Sequence, residues 1–330
     1  MTKIFVSVPS VQDTEYYKTL KDIFENSDNP QNIFVGSAHS IPFKNSRIIQ
    51  ETKNLTNKYS KNVRLKFLNK YRAEGVGFGR LESMSMYDGE DYVLQIDSHT
   101  LLTKSWDSKL LQSYEEAKSF SKSKKTIMSC YLPGYLYVSE SQRQFNENKN
   151  PMYACYLTEE DKKAGVDKDK VEIWDSIYSL IPRWTTPINL DFYDFINSRY
   201  TFARKLNANF IFSDRQFAED YKYIIPWNFL FFEEEFIMSV EAHSLGYSFV
   251  HPNFNFFLGH IYSNQYNEFY SRSSAVDPSC DRINEAKRLI NEYFETENNK
   301  IKLKKYCEYA GLSYPEMHSV SLKYLPKGHI

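Results

Sequence analysis

Asp97, Ser98 and His99 close the segment Gly89–His99, GEDYVLQIDSH, where a strand-like apolar run ends on a carboxylate and an imidazole two positions apart. Side chains two apart on an extended chain project to the same side, so the pair is able to share one divalent cation of intermediate, Mn²⁺-like character. Two ligands do not complete a site. A third donor must come from elsewhere, and His260, beyond the later apolar run Phe254–Leu258, is the natural candidate. By itself the D-x-H pattern also describes a capping aspartate beside a hydrogen-bonded histidine.

The elements that must position these residues alternate along the first 131 positions. Strand character at Lys3–Val8 is broken by Pro9 and Ser10, and Thr14–Phe24 then places Tyr17, Leu20, Ile23 and Phe24 at helical spacing after a cap at Asp13 or Thr14. Strands follow at Ile33–Val35 and Val63–Leu68, the latter alternating Val63, Leu65 and Phe67 with Arg64 and Lys66 as a half-buried strand does. A helix at Gly77–Tyr87, a strand at Tyr92–Ile96, a helix at Trp106–Ala117 and a strand at Thr126–Tyr131 complete the series. This alternation predicts an open parallel α/β sheet. Ligands of such sheets sit beyond the carboxyl ends of the strands, where Pro9–Asp13 and Asp97–His99 fall, so this half reads as nucleotide-binding.

Residues 139–200 are polar and irregular, with Pro151, Pro182 and Pro187, and read as a long excursion over the site. Strand character resumes at Phe210–Phe212. A helix at Phe232–Leu245 carries Phe236, Ile237, Val240 and Ser244 on one side and stops at Gly246. Strands at Ser248–His251 and Phe254–Leu258 then deliver His260, and Asp281–Phe294 places Ile283, Ala286, Ile290 and Phe294 on one stripe of a helix packed on the core.

Composition narrows the classes. Hydrophobic content of 42% with 26 Tyr and 24 Phe excludes overall disorder, and only 11 glycines in 330 residues exclude glycine-rich architectures. Four scattered cysteines, Cys130, Cys155, Cys280 and Cys307, encode no zinc ribbon or disulfide framework and read as ordinary thiols in a reducing compartment. No segment approaches a membrane span or a secretory leader, so the sequence predicts a soluble, cytoplasmic protein. Its abundance of Asn, Lys, Ile and Tyr points to an AT-rich genome, such as that of a virus or protist. The formal net charge of −1 hides one asymmetry: Lys44–Arg72 holds nine basic residues and one acid, so +8 there leaves −9 elsewhere. That stretch is either a solvated face or a polyanion site.

Four blocks carry a family resemblance: Ile4–Gly36, Gly77–Asp107, YLPGY at Tyr131–Tyr135, and Leu230–Pro252. Together they resemble the cytosolic hydroxyproline and polypeptide N-acetylglucosaminyltransferases, in a viral or phage member. The D-S-H form is also similar to the metal motif of the mucin-type polypeptide N-acetylgalactosaminyltransferases. The resemblance implies a GT-A (Rossmann-like) mixed α/β sheet flanked by helices over residues 1–262, with a helical C-terminal extension over 263–330 packed on the core. It further implies Asp97, His99 and His260 as ligands of Mn²⁺ or Mg²⁺, and UDP-GlcNAc as donor. By the same resemblance Pro9, Ser10 and Asp13 face the uracil and ribose, and Ser98 lies within the metal motif at the donor site. Arg80 adds positive charge on the diphosphate. Glu234 and Glu235 bind donor-sugar or acceptor hydroxyls, and retention of anomeric configuration is expected.

Arg80 also fits a helix-surface arginine, Asp13 a loop cap, and Glu234 and Glu235 helix-start acids that gain from the helix dipole. The chain departs from the family at Glu233, where glycine is usual, at Trp227 and Asn228, where a Tyr-Asp pair follows proline, and at Gln12, often arginine. These departures bear on the donor sugar and acceptor, with Trp227, Asn228 and Glu233 lining that pocket. The expected acceptor is a protein or peptide hydroxyl. The alternatives are a hydroxylated base in nucleic acid held by Lys44–Arg72, a metal-dependent hydrolase of another family, or an inactive binding or structural protein that keeps the fold.

Overall fold

The computed structural model describes residues 2–11, 13–40, 46–68, 76–139, 142–146, 151, 153–156, 184–188, 198–224, 234–254, 256–262, 288–290, 292–315 and 326–328. Short β-branched and aromatic runs make the sheet: β1 (Ile4–Ser7), β2 (Ser10–Val11), β3 (Ile33–Ser40), β4 (Val63–Phe67), β5 (Tyr92–Ile96) and β7 (Thr126–Ser129). A two-residue alternation serves both faces. Phe5, Val93, Ile127 and Ile211 enter one core, while Ile4, Val6, Leu94, Ile96, Met128, Phe210 and Phe212 enter the other.

The strand order is β12-β14-β7-β13-β5-β1-β3-β2, with β4 paired to β3, where β12 is Tyr200–Phe202, β13 is Phe210–Asp214 and β14 is Ser248–Pro252. Strands from the first 131 residues run parallel, as expected for β1 against β3 and β5. The sheet as a whole is mixed, because β13 inserts antiparallel between β5 and β7. Its apolar pattern encodes burial on two faces but not direction; the parallel part expected of the first 131 residues and the mixed sheet implied by the family resemblance are both present.

Helices α1 (Tyr16–Glu25) and α4 (Trp106–Ser121) cover one face through Tyr16, Leu20, Ile23, Phe24, Trp106, Leu110 and Tyr114. On the other face lie α3 (Val76–Met84), α5 (Arg215–Ile224), α6 (Glu234–Ser244) and α7 (Glu297–Ala310); α2 (Ser46–Lys58) packs against α1. Helix α7 is fastened by Arg204, which donates to the Ala310 and Gly311 carbonyls, and by Tyr306 and Tyr309, which donate to those of Arg204 and Ala203. Gly36 is required where β3 passes under α3: a Cβ there would lie 2.4 Å from the Phe5 ring and 2.7 Å from the Ser83 carbonyl oxygen.

Several local expectations change. Neither Asp13 nor Thr14 caps α1; Glu15 stands at the N-cap without a side-chain cap bond, while Asp13 Oδ1 accepts from the Glu15 N–H at 2.8 Å. Phe67 is 67% exposed because β4 pairs only with β3 and the sheet ends there. Ser244 is exposed at the last turn of α6 rather than on its buried side. Of the stripe expected at Asp281–Phe294, residues 281–287 and 291 lie outside the described residues; Ile290 is buried and Phe294 partly so. Most of 139–200 also lies outside them. The described strands β9 (Gln142–Phe145), β10 (Tyr153–Tyr156) and β11 (Trp184–Ile188) pair outside the main sheet, β9 with β8 (Tyr135–Ser139) and β10 with β11. Cys130 and Cys307 are buried free thiols. No helix among the described residues is long and apolar enough to cross a membrane.

Candidate active site

Asp97 follows directly on β5, and the chain turns within three residues into β6 (Thr100–Leu102). The turn is held from several sides. Thr100 Oγ1 donates to the Asp97 carbonyl at 2.8 Å, Thr19 on α1 donates to the Ser98 carbonyl at 2.8 Å, and Tyr135 donates to that of His99 at 3.2 Å. β6 then pairs antiparallel with β15 (Leu258–His260), which sets His260 opposite Thr100 and therefore beside His99. The two imidazole centroids are 4.5 Å apart.

Three donor atoms converge as a result. His260 Nε2 lies 3.1 Å and His99 Nε2 4.0 Å from Asp97 Oδ2, and ligand atoms of all three residues fall within 4.8 Å of one another. Ligands around an octahedral ion with bonds of about 2.1 Å are separated by about 3 to 4 Å, the size of the two separations from Asp97 Oδ2, so these residues could hold one divalent cation. One carboxylate and two imidazoles also match an ion between the hard alkaline-earth and soft thiophilic types. Burial pushes the Asp97 carboxyl up, but Arg80, His260 and His99 outweigh it and hold Asp97 below the ordinary carboxylate range.

Arg80 is not a surface residue. It is 2% exposed, donates from Nη2 to Asp97 Oδ1 at 3.0 Å and from Nε to Glu234 Oε2 at 3.1 Å, and its buried Nη1 has no hydrogen-bond partner. Its charge thus joins the metal-site carboxylate to the start of α6. Burial pushes Glu234 up to about 7 against the pull of Arg80. Glu235 faces a different set: Oε1 accepts from the Ala208 N–H at 2.9 Å, and Oε2 from Tyr131 at 2.9 Å and from buried Lys205. It ties α6 to the 205–208 turn.

Asp13 and Ser98 are committed to the protein. Asp13 Oδ2 lies 2.7 Å from His99 Nδ1 and accepts from Ser98 Oγ at 2.7 Å. Burial raises the Asp13 carboxyl, but His99 more than reverses this and lowers it. Ser10 is buried with its hydroxyl unpartnered, and Pro9 is half-buried against Gly79. Gln12, Trp227, Asn228 and Glu233 lie outside the described residues. The structure therefore gathers Asp97, His99, His260, Arg80, Glu234, Ser98 and Asp13, and sets Glu235 in a neighbouring network. The Asp13–His99 contact and the Thr19 and Tyr135 braces were not visible in the sequence, because no local spacing joins positions 36 to 86 residues apart.

A mixed sheet of this order, with a carboxylate and two imidazoles gathered beyond its strand ends, defines an α/β scaffold that carries a candidate cation site. The sequence model of the family described as Glycosyltransferase (GlcNAc) matches residues 37–305, and the chain belongs to that family. No curated protein matches it in sequence. Among solved structures it is similar to GalNAc-T7 crystallised with UDP, GalNAc and Mn²⁺, at 12% identity and a TM-score of 0.51, over 93% of this chain and 55% of that one. The chain thus spans about half the length of that protein. It is also similar to residues 1–349 of S. aureus TarS, at 14% identity and a TM-score of 0.46, over 98% of this chain and 75% of that one. The fold is that of the GT-A glycosyltransferases.

Proposed function

We propose that the chain is a divalent-metal-dependent, retaining glycosyltransferase that moves GlcNAc from UDP-GlcNAc to a hydroxyl of a protein or peptide. The observation that carries this reading is the convergence of Asp97, His99 and His260 within 4.8 Å at the carboxyl end of β5. Residues 1–262 are assigned to the transferase domain and 263–330 to its helical extension. The UDP and Mn²⁺ of the GalNAc-T7 crystal structure agree with the reading.

A divalent ion held by these three side chains supplies positive charge to a diphosphate leaving group. Asp97 contributes the anionic ligand and stays ionised because Arg80 neutralises its second oxygen. Arg80 is fixed in turn by Glu234, so its guanidinium stays beside the ligand set. Retaining transfer asks the protein chiefly for position and charge, which suits a site whose groups are braced from behind.

A protein acceptor is favoured over nucleic acid by the fate of part of the basic stretch, three of whose nine basic residues are already matched by acids. Arg64 pairs with Glu90 at 2.6 Å, Lys58 with Glu25 at 3.3 Å, and Lys66 with Glu82. Lysines and arginines already matched by acids are poor phosphate clamps. Lys44, Lys70 and Arg72 lie outside the described residues. Incubation with UDP-[³H]GlcNAc, Mn²⁺ and a cell lysate, followed by protease or nuclease digestion, tests the acceptor. Label released by protease supports this reading; label released only by nuclease overturns it.

A further inference from the structure

Asp13 lies in the short segment between β2 and α1, 86 residues before His99, and is 6% exposed. Its oxygens are both engaged by the protein: Oδ1 by the Glu15 N–H at 2.8 Å, Oδ2 by Ser98 Oγ and by His99 Nδ1, each at 2.7 Å. A carboxylate so placed has little surface left to offer a nucleotide. It does have a fixed grip on one imidazole.

We infer that Asp13 is a positioning residue for the metal site, acting through His99. The inference rests on the metal reading proposed above and names what orients one of its ligands. An ionised carboxylate only accepts hydrogen bonds, so its contact at 2.7 Å assigns the imidazole proton to Nδ1. The lone pair of neutral His99 then lies on Nε2, the nitrogen turned toward Asp97 Oδ2 at 4.0 Å. The same contact fixes rotation of the ring about its Cβ–Cγ bond. Carboxylates behind ligating histidines also raise the basicity of the metal-facing nitrogen. Ser98, held on the same oxygen, anchors the carboxylate to the turn that carries both Asp97 and His99. The strand ends of the β1–β2 and β5–β6 segments are thereby locked together at the ligand itself.

A merely structural Asp13 would tie two loops and leave the imidazole indifferent. Long-range ¹⁵N–¹H NMR on the metal-free wild-type protein separates the two: His99 is expected as the Nδ1–H tautomer, and an Nε2–H tautomer overturns the inference without any variant. Mn²⁺ titration by electron paramagnetic resonance then compares wild type, D13N and S98A, with the unfolding midpoint recorded for each. D13N is expected to weaken Mn²⁺ by about 10- to 100-fold, and S98A, which leaves the contact with His99 in place, by less than about 3-fold. Equal affinity in wild type and D13N overturns the role of Asp13 alone. Wild-type protein that binds no Mn²⁺ overturns the metal reading, and this inference with it.

Discussion

Asp97 and His260 stand 163 residues apart in the chain and 3.1 Å apart in the fold, joined because β15 pairs with β6 directly after the turn that bears Asp97. Replacing either ligand atom should remove function without removing the fold. We expect D97N and H260A to keep the native fold and to lower transfer by at least about 100-fold, the several kcal/mol a Lewis-acid cation supplies. Initial rates at saturating Mn²⁺ and far-ultraviolet circular dichroism check both halves; wild-type rates in D97N contradict the assignment.

Arg80 should matter to stability as well as rate. It is a buried charge shared between Asp97 and Glu234, so R80M leaves both carboxylates without their shared counter-charge. Breaking such a pair on one side costs roughly 3 to 5 kcal/mol. Urea denaturation should show a loss of that order in R80M and a partial recovery in R80M/E234Q.

How much of this was legible in the sequence depends on whether the determining contact is local. The D-x-H pair could be read because a strand end fixes its direction, and His260 because an apolar run precedes it. Arg80 entered through the family resemblance alone, since one arginine on a helix looks the same whether it meets solvent or two acids from distant segments. Glu235 is similar: its partners Tyr131, Lys205 and Ala208 come from three other places in the chain. The reversed strand β13 was hidden because period-two burial is blind to strand direction, and Phe67 because an edge position follows from sheet order, not from alternation.

Gly259 provides a steric test of how His260 is placed. A methyl group there would lie 2.7 Å from Phe145 Cε1 and 3.3 Å from the Pro133 carbonyl oxygen, the latter being the acceptor of the His260 N–H at 3.0 Å. G259A should push β15 from the β8–β9 hairpin, cost about 1 to 3 kcal/mol and weaken Mn²⁺ binding. Calorimetric Mn²⁺ titrations should show recovery in G259A/F145V, where the ring is gone.

Asp22 predicts a pH dependence of stability. Its carboxyl accepts from Arg143 at 2.7 Å and from the Leu102 N–H at 3.1 Å, yet burial outweighs Arg143 and raises it to about 6 from an ordinary 3.8. With the folded value above the unfolded one, the folded state holds the extra proton between those values, so stability falls as pH rises from about 4 to 6. The contribution is on the order of 1 to 3 kcal/mol. Urea midpoints taken across this window should decline less steeply in D22N than in wild type; identical slopes contradict the assignment.

The central claim is a metal-dependent nucleotide-sugar site built on Asp97, His99 and His260, and calorimetric titration of UDP tests it most directly. UDP should bind wild-type protein in the presence of Mn²⁺, and the heat of binding should vanish in excess EDTA and in D97N. Binding of equal strength with Mn²⁺ and with EDTA, or no binding of UDP with Mn²⁺ present, contradicts the account.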